Sequence, residues 1–289
     1  MMPMGPTRAE LLTAVERSPQ AAAVHDRDAW VGLFADGGRI EDPVGSRPHR
    51  GPAEIAQFYD TFIGPRDITF HRDVDIVAGS TVIRDLELEV AMGAADPGTG
   101  NAAVTMRIPA YLRYALQDTE TDTETGAGPR IAELQAYWEL PAMVVQFVRN
   151  GTRAVPVGLQ LAGDLLRNQG PVGAVGFAAG FRGVGARPRS HGRRRFIRLL
   201  DDLCAGDEVS VRRTLRRDAR VQSGESAPLG ASKLTAMTAG GSWRKVIVSG
   251  ASAVAGIDSE AGRAVLIADL TPTGIRRVRY FVDDAARDG

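Results

Sequence analysis

From Ile68 onward the apolar residues of this chain fall on every second position: Phe70, Val74 and Ile76, then Val82, Leu86, Leu88 and Val90, then Val104, Met106, Ile108, Ala110, Leu112, Tyr114 and Leu116. A strand shows alternate side chains to alternate faces, so this period of two predicts long antiparallel strands with one buried face. The preceding residues carry a different period. Thr7 and Glu10 have the spacing of a capping box ahead of Leu11, Leu12 and Val15, which predicts an amphipathic helix running to about residue 24. A second helix is expected over 26–35 on Trp30, Val31 and Phe34, and a strand over 38–42, ended by Asp42-Pro43. Pro52 then opens a third helix through Ile55, Phe58, Tyr59 and Phe62. The polar run 117–128 reads as a hairpin loop and 131–140 as the last strand. Three helices laid against a curved antiparallel sheet make an α+β domain over residues 1–140.

At 289 residues the chain has room for a second domain, and the same order recurs in shorter form. Helices are expected over 196–203, up to Leu215 and over 230–239, with strands over 219–222, 243–252, 263–270 and 275–282. This sets a second unit at 194–289, joined to the first by a connector at 141–193. Between residues 149 and 200 the connector region has ten arginines against one acid, Asp164, although the whole chain balances at 35 basic and 35 acidic residues. Cys204 is the single cysteine, so no internal disulfide forms. His25, His49 and His191 have no partner at metal-ligand spacing, His71 lies out of phase with Phe70 and is read as solvated, and no metal or cofactor is expected.

The run 25–51 (HDRDAWVGLFADGGRIEDPVGSRPHRG), followed by Ile55-Ala56-Gln57-Phe58-Tyr59, is similar to the ketosteroid isomerases. These belong to the nuclear transport factor 2-like superfamily together with the SnoaL-type polyketide cyclases. Leu134-Gln135-Ala136-Tyr137-Trp138 resembles the family's last strand, so the likeness brackets residues 10–140. The second unit resembles the superfamily at the level of pattern, as a degenerate copy. The resemblance implies a cone-shaped curved sheet packed with three helices, and one pocket for a hydrophobic steroid, polyketide or lipid-like molecule.

Isomerisation in this family needs a carboxylate that moves a proton between carbons and donors that hold the dienolate oxygen. The resemblance puts Asp42 on the base. It puts Ser18 and Ala110 where the family has its two donors, a tyrosine and a protonated aspartic acid. Losing one such donor typically costs about 3–4 kcal/mol in the barrier, so the oxyanion hole is weakened. Tyr59, Tyr114 and Trp138 are the remaining donors expected near the pocket, with Leu134 on its wall. For each of the three, packing in the core with a satisfied polar tip is the competing reading. Arg84 lies in phase with Val82 and Leu86 and is read as a partner for Asp42, in a chemistry such as epoxide opening, or as an edge-strand arginine. In the second unit Ser223 falls at the position of Asp42, leaving no base there.

Two functional classes stay open on these residues: an isomerase or related proton-transfer enzyme, and a non-catalytic lipid or steroid binder. In the second, the 149–200 segment would meet an anionic membrane surface. No nucleic-acid partner is expected. The two units are expected to pair within the chain, in place of a homodimer or beside one. With no secretory signal and no apolar run of spanning length, the expected location is cytoplasmic, and the arginine-rich segment is read either as a solvated linker or as a helix face that brings the protein to a membrane surface.

Overall fold

In a computed structural model the chain forms two units of the same plan. The structure describes residues 5–92, 104–118, 128–151, 191–260 and 262–286, with isolated positions at 155, 158, 159, 163 and 167. The core of the expected hairpin loop, 119–127, and most of the arginine-rich segment lie outside the described residues.

The first unit begins with α1 (Arg8–Ala23), closed at its start by the capping box: the Thr7 amide donates to Glu10 Oε2 at 2.7 Å and the Glu10 amide to Thr7 Oγ1 at 3.3 Å. Asp26 caps α2 (Arg27–Gly32) through the Ala29 amide at 2.9 Å. The helix is shorter than expected, because Phe34 already begins β1 (Phe34–Glu41). After the short β2 (His49–Arg50), α3 (Gly51–Phe58) widens into a π turn (Tyr59–Ile63). The remaining strands are β3 (Arg66–Ala78), β4 (Thr81–Met92), β5 (Val104–Gln117) and β6 (Arg130–Tyr137). The sheet runs β2-β1-β6-β5-β4-β3. It is mixed rather than wholly antiparallel, since β1 pairs with β6 in parallel. The helix α4 (Leu140–Arg149) follows.

The second unit repeats this order with α5 (His191–Cys204), α6 (Glu208–Thr214), β7 (Leu215–Ser223), β8 (Ala227–Pro228), α7 (Ala231–Thr238), β9 (Ser242–Ser249), β10 (Ser252–Ser259), β11 (Gly262–Thr271) and β12 (Gly274–Val282). Its sheet has the matching order β8-β7-β12-β11-β10-β9. Strand β10 was absent from the sequence expectation. Ala253, Ala255 and Gly256 are too small to advertise a strand by hydrophobic alternation, although all three are buried.

The register makes the two units comparable residue by residue. Ile76, Ile83, Arg113, Gln135 and Glu41 form one row across the first sheet. Ile247, Val254, Ile267, Arg279 and Gln222 form the matching row in the second. One residue beyond Glu41 and Gln222 stand Asp42 and Ser223. By the same register Tyr114 and Trp138 correspond to Ala268 and Val282, both buried in the second core.

Helices cover one face of each sheet, and the other faces cover each other. Val44, Ile76, Ile83, Tyr111 and Tyr137 pack against Ile247, Val254, Val265, Ile267 and Phe281 in one apolar seam. The expectation of one-face burial therefore fails: alternate residues of β4 are buried on both sides because the outward set meets the second unit. Lys245 crosses the seam, with Nζ 2.5 Å from Asp85 Oδ1, 2.5 Å from the Leu86 carbonyl and 2.9 Å from the Ala110 carbonyl, using its three donors. Burial lowers its pKa, against the pull of Asp85. The loop after β1 is held from the second unit by Ser249 Oγ, which donates to the Val44 carbonyl at 2.8 Å.

The backbones also touch at Gly45 and Gly250, both at positive φ, where a Cβ on Gly250 would lie 2.6 Å from the Gly45 Cα. Gly224 has nearly the same φ, +59° against +57°, with open space around it. Gly224→Ala is therefore expected to carry only the cost of a left-handed backbone, roughly 1 kcal/mol. Gly250→Ala adds a clash between units and is expected to cost about 1–3 kcal/mol more. Thermal unfolding of the two variants measures the difference, and equal losses would mean that the contact is not tight.

Candidate active site

The helices and the concave face of the first sheet enclose a cavity of about 230 Å³. Its wall is built mostly of apolar side chains. Trp30, Phe58 and Phe62 come from the helical side, Ile108 and Leu112 from β5, and Met143, Val144 and Phe147 from α4, which covers part of the cavity. Trp30 fixes the helical wall by packing on Phe34, Phe58 and Tyr59 at ring-centre distances of 5.1, 6.1 and 5.5 Å. The π turn helps set Phe62 against Phe58 at 5.1 Å, bringing both rings to the cavity.

Asp42, immediately after β1, lines this cavity. Trp138 Nε1 donates to its Oδ1 at 2.6 Å. Burial raises the Asp42 carboxyl to about 6, and the Trp138 bond opposes the rise by favouring the ionised form. Although the side chain keeps some accessible surface, it faces a cavity with few polar groups, and that desolvation outweighs one hydrogen bond. Ser18 on α1 and Tyr114 on β5 line the same space. Burial pushes the Tyr114 phenol up to about 12, so it remains a neutral donor at ordinary pH.

Of the residues singled out from sequence, Asp42, Ser18, Tyr114, Leu134 and Trp138 line the cavity. Three do not. Ala110 is fully buried in the surrounding core. Tyr59 is buried behind Trp30, and its hydroxyl finds no hydrogen-bond partner among the described residues. Arg84 does not pair with Asp42: its Nε donates to Asp75 Oδ1 at 2.8 Å and its Nη2 to Glu16 Oε2 at 2.8 Å. The phase of β4 correctly turns Arg84 inward, but the sequence does not reveal that Asp75 faces it across the β3–β4 ladder.

Sequence reasoning also missed Arg66, Met92, Met106 and the α4 residues on the wall. Met106 was on the buried phase and could have been chosen. The α4 contribution depends on a fold-back after Tyr137 that no local pattern announces.

A second hollow of about 270 Å³ lies beyond Met143 and Ile108, between α4, β5 and β9. Its polar groups are engaged in structure: Lys245 as above, Glu139 with Arg193 and the Val248 amide, and Gln146 with the Arg107 backbone. The first cavity, with its carboxyl group of raised pKa, is the site with chemical potential.

A small α+β cone around an acid-bearing apolar cavity defines the class of the first unit. Residues 15–118 match the SnoaL-like domain family. Among solved structures, a Mycobacterium tuberculosis protein in complex with estradiol-17beta-hemisuccinate is 21% identical, covering 46% of this chain and 95% of that chain at a TM-score of 0.36. Delta 5-3-ketosteroid isomerase from Mycobacterium sp. is 25% identical, covering 46% and 96%, at a TM-score of 0.33. An LEH-like epoxide hydrolase of M. tuberculosis is 17% identical, covering 54% and 97%, at a TM-score of 0.40.

The raised pKa carries a stability consequence. Asp42 titrates near 3.8 when unfolded and about 6 when folded, so the protonated form is the one the fold favours. Its contribution is fully present below about pH 4 and is lost as pH rises through 6. Asp42→Asn is therefore expected to unfold like the parent at pH 4 and to be more stable by about 1–3 kcal/mol at pH 7.5. Urea unfolding at the two pH values measures this, and a variant less stable at pH 7.5 contradicts the assignment.

Proposed function

We propose that the first unit binds one compact hydrophobic molecule of steroid, polyketide or similar lipid-like character and moves a proton on it, with Asp42 as the acid–base group. The observation that carries this reading is the Asp42 carboxyl on the wall of an apolar cavity, held by Trp138 and raised to about 6. A base with that pKa is ionised at neutral pH and can release its proton again, which a two-step transfer between carbons requires. The Ser18–Tyr114 pair supports the reading as a substitute oxyanion donor, since both line the same cavity. The second unit acts as the permanent partner of the first, and we propose the division 1–140, 141–193 and 194–289 for the chain. Its equivalents Ser223, Ala268 and Val282 supply none of the acid–base and donor groups.

Exchange of the acidic carbon-bound protons of a β,γ-unsaturated ketosteroid for deuterium tests the proposal. The exchange rate in the parent is expected to rise with pH through about 6, and Asp42→Asn to lower it roughly 10²–10⁴-fold and remove the pH dependence. Unchanged exchange in Asp42→Asn would refute the base assignment.

A binder without catalysis, docked to a membrane, is the second reading. The exposed Val145 and Val148 of α4, at the head of the arginine-rich segment, favour it. None of the described helices is long and apolar enough to cross a bilayer, so the contact would be peripheral. Sedimentation with vesicles containing phosphatidylserine is expected to capture the full chain at low salt and release it at high salt. No capture at low salt rules this reading out.

A further inference from the structure

Strand β6 pairs with β5 only from Tyr111 onward, where Tyr137 stands opposite, so residues 104–110 of β5 have no strand beside them on that side. The helix α4 takes the place. Gln146 serves the strand edge as a neighbouring strand would: its Oε1 accepts from the Arg107 amide at 3.2 Å and its Nε2 donates to the Arg107 carbonyl at 2.9 Å. At the start of the helix Glu139 is held by Arg193 of α5 and by the Val248 amide of β9. A helix is about 10 Å across where a strand takes about 4.8 Å, and a rounded body along a straight edge does not close both faces of a sheet. Met143, Val144 and Phe147 close the first cavity, and between α4 and β9 the hollow of about 270 Å³ is left.

This hollow fits an aliphatic occupant. Its apolar wall is Ile108, Pro109, Ala142, Met143, Val246 and Ile247. The polar side chains that reach it are engaged: Gln146 and Glu139 as above, and Lys245 with Asp85 and the Leu86 and Ala110 carbonyls. Water there finds few groups to bond, whereas methylene groups gain by leaving solvent. Ile108 and Met143 stand in the walls of both spaces. Met143 is unbranched, with three rotatable bonds, on a helix tied near both ends, so its side chain can turn aside while the helix stays in place.

We propose that the hollow is a tail annex of the ligand site, and that the natural ligand joins a ring-built head in the first cavity to an unbranched aliphatic chain that passes Met143 into the annex. This rests on the reading of the first cavity as the ligand site and narrows its substrate class. It also gives the second unit a share in binding, since Val246 and Ile247 of β9 form part of the annex wall. No proton transfer is required, so the annex can hold or fail independently of the role of Asp42.

The test uses two neutral fluorescent probes with the same naphthalene head, prodan with a propionyl chain and laurdan with a dodecanoyl chain. Both are titrated into the full chain and into Ala142→Trp, Val246→Phe and Leu112→Trp. Ala142 and Val246 line the annex from α4 and β9 and are not part of the first cavity's wall. Each of these two fillings is expected to weaken laurdan about tenfold or more and prodan less than twofold. Leu112→Trp fills the first cavity and is expected to weaken both probes at an unchanged circular-dichroism spectrum. Unchanged laurdan binding in both annex variants would overturn the inference. An equal loss of the two probes would overturn it as well, by making α4 a cover for the first cavity alone. If both probes respond to Leu112→Trp and neither to the annex variants, only the annex fails. If neither probe responds to Leu112→Trp, it is the cavity as ligand site that fails, and the inference falls with it.

Discussion

Each six-stranded sheet has two faces and helices enough for only one, so the organisation of the chain depends on how the remaining faces are covered. They cover one another. The seam of Ile76, Ile83, Tyr111 and Tyr137 against Ile247, Val254, Val265 and Phe281 joins equivalent positions of the two units, as an isologous dimer interface would. Because both copies are in one chain, this pairing does not depend on concentration. It also frees the copies to diverge: Asp42, Tyr114 and Trp138 remain in one unit, while the other has Ser223, Ala268 and Val282 at the matching places.

The seam reaches the site through the loop after β1. Asp42 stands two residues before Val44, whose carbonyl accepts from Ser249, and three before Gly45, which touches Gly250. On its other side the carboxyl is held by Trp138 at the end of the last strand of the sheet. A carboxylate in an apolar cavity costs free energy at neutral pH, and it stays in place because the backbone that carries it is fixed from outside the cavity. Arg84 contributes differently. Its bonds to Asp75 and Glu16 tie β4 to β3 and to α1, which stiffens the wall beside Tyr114 without entering the cavity.

Much of the first unit was legible in its sequence because periodicity and capping are local signals. Thr7 and Glu10 marked the start of α1, and the alternation from Phe70 to Leu116 marked the sheet. The family resemblance brought Asp42, Ser18, Leu134 and Trp138 to attention and the strand phase added Tyr114, and these five share one cavity. What sequence could not supply were relations between distant segments. The parallel pairing of β1 with β6 and the burial of both sheet faces depend on topology, and so does the Asp75 partner of Arg84. Strand β10 was missed because alanine and glycine carry little hydrophobic signal, and Arg66 because a charge at a strand's first residue usually faces water.

The most direct test of this account is a carbon-13 NMR titration of the aspartate carboxyl groups in the full chain, with the Asp42 resonance assigned by its absence from Asp42→Asn. A midpoint near 6 is the predicted result, placing the carboxyl in the desolvated cavity beside Trp138. A midpoint near 4, like that of an aspartate in water, would contradict the account, because the carboxyl would then be solvated and the cavity would have no acid–base group of raised pKa.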